Sequence, residues 1–318
     1  MQEERQAKLR VALIAGGTSH ERDVSLKGAD VVEKMLDQNK YIVTRYDSAT
    51  DLVKIASNTE NIDFAFIVLH GIHGEDGTIQ GFLDLLGIPY QGPGVLGSAL
   101  AMDKNISKER YQQSNLPIAP WEIIQASDMS KDLTILEKIS LPVVVKPALE
   151  GSSIGISVVR TKGELAESLA LARKYTDKNI MVEQFIKGRE LTCAVLGNND
   201  AEALPVLEIV PGEGYEFFNY DAKYLPGASN EICPAPIPEK VSKQIQRYAV
   251  AAHHCLQLRG CSRTDFLLQD DGQIFLLETN TIPGMTETSI LPQEAAAAGM
   301  NYSQLLDRLI TLGLEPPV

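Results

Sequence analysis

A chain of 318 residues can form two or three compact units, and an apolar content of 44% can bury full-sized cores. A formal net charge of −13 argues against a nucleic-acid-binding surface, because phosphate backbones require clustered lysine and arginine. No apolar run reaches the length of about eighteen residues that a membrane span needs, and the charged first residues lack an apolar signal core. We therefore expect a cytoplasmic protein that binds neither nucleic acid nor a membrane.

The N-terminal part of the chain predicts alternating strands and helices. Short apolar runs predict strands over residues 10–15, 41–46 and 64–69. A helix over about 25–36 follows the first strand, and this alternation favours a small parallel sheet with helices on its faces. The loops 16–23 and 70–77 then lie at the carboxyl ends of the strands, where such sheets bind ligands. A carboxylate in these loops could hold an ammonium group.

The middle of the chain predicts a compact unit that mixes helices with strands. Helices are predicted over residues 104–114, 133–139 and 162–175. Strands are predicted over residues 119–125, 141–146, 156–160 and 180–185. A glycine- and serine-rich loop, 150–155, separates two of these strands.

The last part of the chain predicts a second mixed unit. Strands are predicted over residues 191–196, 204–210, 262–268 and 273–278, and a helix over 238–258. The long polar loop 212–236 contains several aromatic residues and is interpreted as a lid. These changes in character predict three domains, over residues 1–103, 104–186 and 187–318.

Asp271-Gly272 predicts a hairpin between the last two strands, and this hairpin carries the most informative polar residues. The two-residue period of a strand places Arg263 and Asp265 on one face and gives Glu278 and Asn280 a common face on the partner strand. Two carboxylates and an amide are oxygen ligands that suit magnesium. The alternative, an exposed salt-bridged hairpin, is disfavoured by the apolar residues around these charges.

Two further segments suit a nucleotide. Lys146 ends an apolar strand and can reach a phosphate, and the backbone N–H groups of loop 150–155 can cover the outer phosphates. The run 183–186, followed by Glu190, suits adenine and ribose, with Glu183 accepting from the exocyclic amine. Taken singly, these segments also fit a plain turn and an interdomain connection, and no Walker motif is present.

Two other motifs are interpreted as structural. The run 92–97 matches G-x-G-x-x-G, but proline occupies its second position and no acidic residue ends a following strand at the distance a nicotinamide site requires. His253, His254, Cys255 and Cys261 suggest zinc, but helical spacing places Cys255 on the buried face of a helix.

In combination, the motifs identify a family. The chain resembles the D-alanine–D-alanine ligases of the ATP-grasp superfamily from Gly16 to about Leu309. The resemblance rests on GGTSHERDVS (16–25), LHGIHGEDGTIQG (69–81), MDK (102–104), VVVKPALEGSSIG (143–155), YDAKYL (220–225), RTDF (263–266) and ETNTIPGMTETS (278–289). It implies an α/β (α+β) three-domain ATP-grasp fold, in which an N-terminal parallel-sheet domain accompanies two α+β domains that sandwich ATP.

The resemblance also implies residue roles. ATP would be held by Lys104, Lys146, Lys223, Glu183, Gln184, Phe185, Ile186, Glu190 and Leu277. Two magnesium ions, or manganese, would be ligated by Asp265, Glu278 and Asn280. The two D-alanine molecules would meet Glu21, His70, Arg263, Gly284 and Ser289. Ser152 and Tyr224 would link to Glu21 and close the loops over the substrates.

The implied reaction is amide formation through a D-alanyl phosphate, for peptidoglycan precursor synthesis, by a homodimer. Arg263 and the Gly284 N–H would stabilise the tetrahedral oxyanion. The base that deprotonates the incoming amine is open between Tyr224 with Ser152 and the departing phosphate. A D-alanine–D-lactate ligase and a catalytically silent ATP-binding module are the alternatives.

Overall fold

The computed structural model describes residues 7–126, 134–151, 154–212 and 229–316, and these residues form three β-sheets. The first sheet is parallel, in the order β2-β1-β3. Its strands are β1 (Leu9–Ala15), β2 (Tyr41–Asp47) and β3 (Phe64–Ile67). The helices around it are α1 (Arg22–Met35), α2 (Leu52–Ala56), α3 (Thr78–Leu86) and α4 (Val95–Met102). The predicted parallel sheet is therefore confirmed.

The second sheet is antiparallel, in the order β4-β7-β5-β6. Its strands are β4 (Trp121–Ile124), β5 (Val143–Pro147), β6 (Ser157–Val159) and β7 (Ile180–Gln184). The helices are α5 (Lys104–Gln113) and α6 (Leu165–Arg173), with 3₁₀ turns at Thr134–Glu137 and Lys162–Glu164. The predicted helix over 133–139 is wrong within its described part, which forms only the 3₁₀ turn. The run is short and its β-branched Thr134 and Ile135 have low helix propensity.

The third sheet has the order β11-β10-β8-β12-β13, and β9 pairs with β8. Its strands are β8 (Arg189–Leu196), β9 (Glu202–Ala203), β10 (Leu207–Pro211), β11 (Ser229–Ile232), β12 (Cys261–Leu268) and β13 (Ile274–Asn280). The helices are α7 (Glu239–Cys255), α8 (Ile290–Ala297) and α9 (Tyr302–Leu314). Part of the predicted loop 212–236 is instead strand β11. Its side chains are mostly polar, but its backbone pairs with that of β10.

One prediction about helix α7 needs correction. Its most buried residues include Ile245, Ala249, Ala252 and His253, whereas Cys255 is only half-buried at the edge of that face. His253 is fully buried, and its Nδ1 lies 2.8 Å from Ser262 Oγ, so this histidine belongs to the core between α7 and β12.

The first and third sheets share a hydrophobic core. Leu13 and Phe64 of the first sheet pack in one cluster with Ala194 of β8 and with Leu305 and Leu309 of α9. This shared packing fixes the loops of the first sheet against the hairpin β12–β13. Among the described residues, no helix is both long enough and apolar enough to cross a membrane.

Candidate active site

The hairpin β12–β13 forms with the predicted pairing. Arg263 lies opposite Asn280, and Asp265 lies opposite Glu278, with a bulge directly after Asp265. At the turn, the Asp271 carboxylate accepts a hydrogen bond of 2.9 Å from the Gln273 N–H. The four polar residues predicted to form one site are therefore neighbours on adjacent strands.

Asp265 is the centre of this group. Its Oδ1 accepts hydrogen bonds from Thr192 Oγ1 at 2.6 Å and from Arg263 Nε at 3.0 Å. Its Oδ2 accepts from Arg263 Nη2 at 2.9 Å and from Asn280 Nδ2 at 3.1 Å. Burial opposes the charge of Arg263, but Asp265 outweighs that effect and raises the pKa of the guanidinium, which stays cationic. Both side chains are thus locked in one orientation.

The hairpin offers oxygen ligands for a divalent cation. Within the described residues, no three His, Cys, Asp or Glu side chains converge as a metal site, so the candidate set is Asp265, Glu278 and the Asn280 amide oxygen. Two carboxylates and one carbonyl oxygen match the hard-oxygen preference of magnesium, which leaves its remaining positions to water and phosphate. Lys104 Nζ lies 3.6 Å from the Glu278 carboxylate, which places an ammonium group next to the candidate metal ligands.

A cavity of about 760 Å³ lies between the second and third sheets. Lys104 does not line it, but seven of the nine residues predicted to bind the nucleotide do: Lys146, Glu183, Gln184, Phe185, Ile186, Glu190 and Leu277. Apolar walls are contributed by Val144, Ile156, Val158, Leu267 and Ile209. Flat apolar walls with a few polar groups at the edge suit a purine base.

The carboxylate of Glu183 has a different environment from the one predicted. Its Oε2 accepts a hydrogen bond of 2.6 Å from Lys146 Nζ, and its Oε1 contacts the ammonium of Lys108. Both carboxylate oxygens of Glu183 therefore face lysines, and its backbone is paired within the sheet, between β4 and β5. Lys108 was missed in the sequence, although it lies four residues after Lys104 and thus on the same side of α5.

A second cavity, of about 640 Å³, lies between the first-sheet loops and the hairpin. Five predicted substrate-side residues line it: Glu21, His70, Arg263, Gly284 and Ser289. Glu278 lines both cavities, so the hairpin forms the wall between them. Ser152, Lys223 and Tyr224 lie outside the described residues.

One acidic residue at this cavity had no predicted role. Glu75 accepts backbone hydrogen bonds from Gly71 at 2.8 Å and from Ile282 at 3.3 Å, so it joins the first-sheet loop to the segment after β13. Burial and the neighbouring Glu21 raise the pKa of Glu75 to about 7. Burial lowers the pKa of His70, which favours its neutral form. The two first-sheet loops therefore place the carboxyl groups of Glu21 and Glu75 close together at this cavity.

Ser289 occupies the N-cap position of α8 and is held close to Gly284. Its Oγ accepts a hydrogen bond of 2.9 Å from the Thr286 N–H and lies 2.8 Å from Thr286 Oγ1. A Cβ added at Gly284 would lie 2.9 Å from Ser289 Oγ, which is closer than real contacts allow. The helix N-terminus and the hydroxyl together suit a carboxylate.

We expect Gly284→Ala to raise the KM for the substrate of this cavity several-fold, because the new methyl group displaces the Ser289 hydroxyl. The fall in kcat should be smaller, since Arg263 is unaffected. Gly81→Ala is the matched control: a Cβ there meets its nearest neighbour at an ordinary 3.5 Å. Steady-state kinetics of both variants check this expectation, and an unchanged KM in Gly284→Ala would remove Ser289 from the substrate site.

Glu294 is a buried acid near Arg263. Its Oε1 accepts a hydrogen bond of 3.1 Å from the Ala194 N–H, and its side chain is 0% exposed. Burial raises the pKa of Glu294 to about 8, although the nearby Arg263 lowers it and Asp265 raises it. At neutral pH the group is therefore protonated when folded and ionised when unfolded.

We expect Glu294→Gln to change how stability depends on pH. Because the folded pKa is about 8 against 4.5 ordinarily, the wild type loses stability as pH rises between these values. This group alone contributes a loss on the order of 1 kcal/mol per pH unit. Urea titrations at several pH values measure the unfolding free energy of both proteins. The difference between Glu294→Gln and wild type should grow as the pH rises from 5 to 8. Parallel curves would show that Glu294 is already ionised in the folded protein.

Comparison with known proteins gives one consistent family. Residues 111–311 match the model of the D-ala D-ala ligase C-terminus, and residues 46–93 match that of the D-ala D-ala ligase N-terminus. The D-alanine–D-alanine ligase of Desulfotalea psychrophila is 65% identical over 315 residues, which cover 99% of this chain and 98% of that protein.

Two solved structures have the same fold. The D-alanine–D-alanine ligase from Bacillus anthracis complexed with ATP has a TM-score of 0.83 and 33% identity, over 96% of this chain and 97% of that one. The D-Ala:D-Ser ligase from Enterococcus faecalis has a TM-score of 0.84 and 32% identity, over 97% and 100%. The ATP-grasp fold expected from the sequence is confirmed. The chain belongs to the D-alanine–D-alanine ligase family.

Proposed function

We propose that this chain joins two D-alanine molecules to D-alanyl-D-alanine, with ATP hydrolysed to ADP and phosphate, as a step in peptidoglycan precursor synthesis. The observation that carries the proposal is the position of Glu278 in the wall between two cavities. One cavity suits a nucleotide, and the other suits a small amino acid. Their shared wall carries the residues that phosphoryl transfer needs.

The first step forms an acyl phosphate. A carboxylate oxygen of the first D-alanine attacks the γ-phosphorus of ATP, the bond from that phosphorus to the bridging oxygen breaks, and ADP leaves. Lys146 and Lys104 border the path of the transferred group and attract its negative charge. Asp265, Glu278 and Asn280 would hold divalent cations, magnesium or manganese, which supply further charge neutralisation when bound. Glu21 and His70 orient the ammonium end of the substrate.

The second step forms the amide bond. The amine of the second D-alanine attacks the acyl carbon, the nitrogen loses a proton, and the bond to phosphate breaks. Arg263 is buried and fixed by Asp265, so it can donate to the developing oxyanion without reorganising. Gly284 N–H is the second proposed donor, and Ser289 holds the carboxylate of the incoming molecule.

Water must be excluded from the acyl phosphate, which it would hydrolyse, and loops that close over the cavities would exclude it. We propose Ser152, Lys223 and Tyr224 as the residues that close them. We also propose domain boundaries at residues 103 and 186. These boundaries separate sheets but not independent hydrophobic cores, because Leu13, Ala194 and Leu309 share one core. A cytoplasmic homodimer is the expected state.

The experiment is ADP release with D-alanine as the amino-acid substrate, set against L-alanine. D-Alanine alone should give ADP and the dipeptide, and L-alanine should give neither. Adding D-serine or D-lactate to D-alanine tests the second position, since a D-Ala:D-Ser ligase shares the fold. ADP release that no amino acid stimulates would support a silent ATP-binding module instead.

A further inference from the structure

A buried lysine that has no role in the proposed reaction lies behind the nucleotide cavity. Lys108, in the second turn of α5, is 1% exposed and contacts the Glu183 carboxylate. Its Nζ also lies 5.7 Å from the centre of the Trp121 ring. Among the residues that the structure describes, Glu183 and Lys146 line the nucleotide cavity, and Lys108 does not. Lys108 is thus separated from the nucleotide by the carboxylate that it contacts.

Two lysines share a single carboxylate at this point. Lys146 Nζ donates to Glu183 Oε2 at 2.6 Å, and Lys108 contacts Oε1. Burial favours the neutral form of Glu183, but the two lysines outweigh it and lower its pKa. Burial lowers the pKa of Lys108, while the contacts with Glu183 and with the face of Trp121 favour its ammonium form. The three side chains in contact, two lysines and one carboxylate, carry one positive charge in excess when all three are ionised.

An excess buried charge is costly unless a ligand uses it. A simple Lys146–Glu183 pair would be neutral and easier to bury. It would also attract phosphate less strongly, because the carboxylate would cancel the field of the lysine. Lys108 changes this balance by taking up part of the Glu183 charge from the side away from the cavity.

On the basis of the proposed ATP-dependent function, we propose that Lys108 is a positioning residue for nucleotide binding. It holds Glu183 between two cations, so that the carboxylate charge is shared and Lys146 keeps more of its positive charge available to the ATP phosphates. The polyphosphate of the nucleotide supplies the negative charge that the group lacks. Lys108 acts through Glu183 and Lys146 and does not touch the nucleotide.

The test changes the charge of the group in two steps. Wild type carries +1 from two lysines and one glutamate, Lys108→Met carries 0, and the double variant Lys108→Met/Glu183→Gln carries +1 again. We expect Lys108→Met to weaken binding of ATP with magnesium roughly tenfold or more, and the double variant to recover most of that loss. Lys138→Met is the matched control, because Lys138 is an exposed lysine of the same unit that pairs with Glu122 at 3.4 Å. Its affinity should equal that of wild type.

The binding measurement uses ATP and magnesium without D-alanine. Calorimetry gives the affinity, and the fluorescence of Trp121 gives a local signal, because it is the sole tryptophan and pairs with Glu183 across β4 and β7. Thermal melting shows whether each variant is folded. Recovery in the double variant is an effect that a purely structural lysine would not produce.

Each outcome has one meaning. A wild-type protein that does not bind ATP contradicts the proposed function itself. If the wild type binds ATP and Lys108→Met binds it equally tightly, the role of Lys108 is overturned. A double variant that stays as weak as Lys108→Met also overturns it, and makes the Glu183 carboxylate a direct nucleotide contact. If Lys108→Met does not fold, the double variant decides: affinity close to wild type supports the proposal, and lost affinity overturns it.

Discussion

Replacing Arg263 with methionine is expected to lower kcat about 100- to 1000-fold, the usual effect of removing one oxyanion donor. The guanidinium is fixed by two hydrogen bonds to Asp265 and lines the amino-acid cavity, so its donors are already aimed before the charge develops. The KM for D-alanine should change less than kcat, because the interaction strengthens only in the transition state. Steady-state ADP release, with both substrates varied, measures the two parameters.

The control for Arg263→Met is Arg45→Met. Arg45 forms an ion pair with Asp30 on the outer surface of the first sheet, away from both cavities, so its kinetics should match wild type. Arg263→Lys separates charge from geometry, because lysine keeps the charge but loses the forked contact with Asp265. A large rise in KM with kcat unchanged would instead assign Arg263 to ground-state binding.

Glu278→Gln is expected to reduce kcat by about a thousandfold while leaving the fold intact. The substitution keeps the size of the side chain but removes the negative charge that would bind a cation. Lys104 Nζ lies 3.6 Å from the same carboxylate. Loss of metal-based charge neutralisation costs several kcal/mol in phosphoryl transfer. The magnesium concentration needed for half-maximal activity should also rise, which a loss of folding would not produce.

Asp270→Asn provides the control for Glu278→Gln. It removes a carboxylate from the exposed turn of the same hairpin, so it changes the net charge equally without touching either cavity. Its activity and magnesium dependence should equal those of wild type. Near-normal turnover in Glu278→Gln, with an unchanged magnesium requirement, would contradict the assignment of the hairpin as the metal site.

The predictions that succeeded depend on short-range rules. Asp271-Gly272 predicts the hairpin, and the two-residue strand period predicts a common face for Arg263 and Asp265 and for Glu278 and Asn280 on the partner strand. The hairpin forms, and its ladder pairs these residues. Turn chemistry brings the two strands together, but the pairing of Asp265 with Glu278 also depends on the bulge directly after Asp265, which the sequence did not predict. The parallel sheet was predictable for a similar reason, since alternating strands and helices leave few topologies.

The predictions that failed lacked such a local signal. Helix α8 was not predicted, because residues on most of its sides are buried and no amphipathic period marks it. Strand β11 has polar residues and forms a strand only because β10 offers its edge. Strand β11 is therefore decided by long-range pairing, whereas α8 contains good helix formers and lacks only the amphipathic period.

By itself, the sequence determined the family, the nature of the reaction and the hairpin that carries its polar residues, because these depend on residue type and near-neighbour spacing. Only the tertiary structure decided which charges are buried and with what partners. Lys108, Glu75 and Glu294 come from three separate segments, and each owes its environment to residues far along the chain. Burial and a distant partner set the pKa and the charge of such groups, and neither is a property of local sequence.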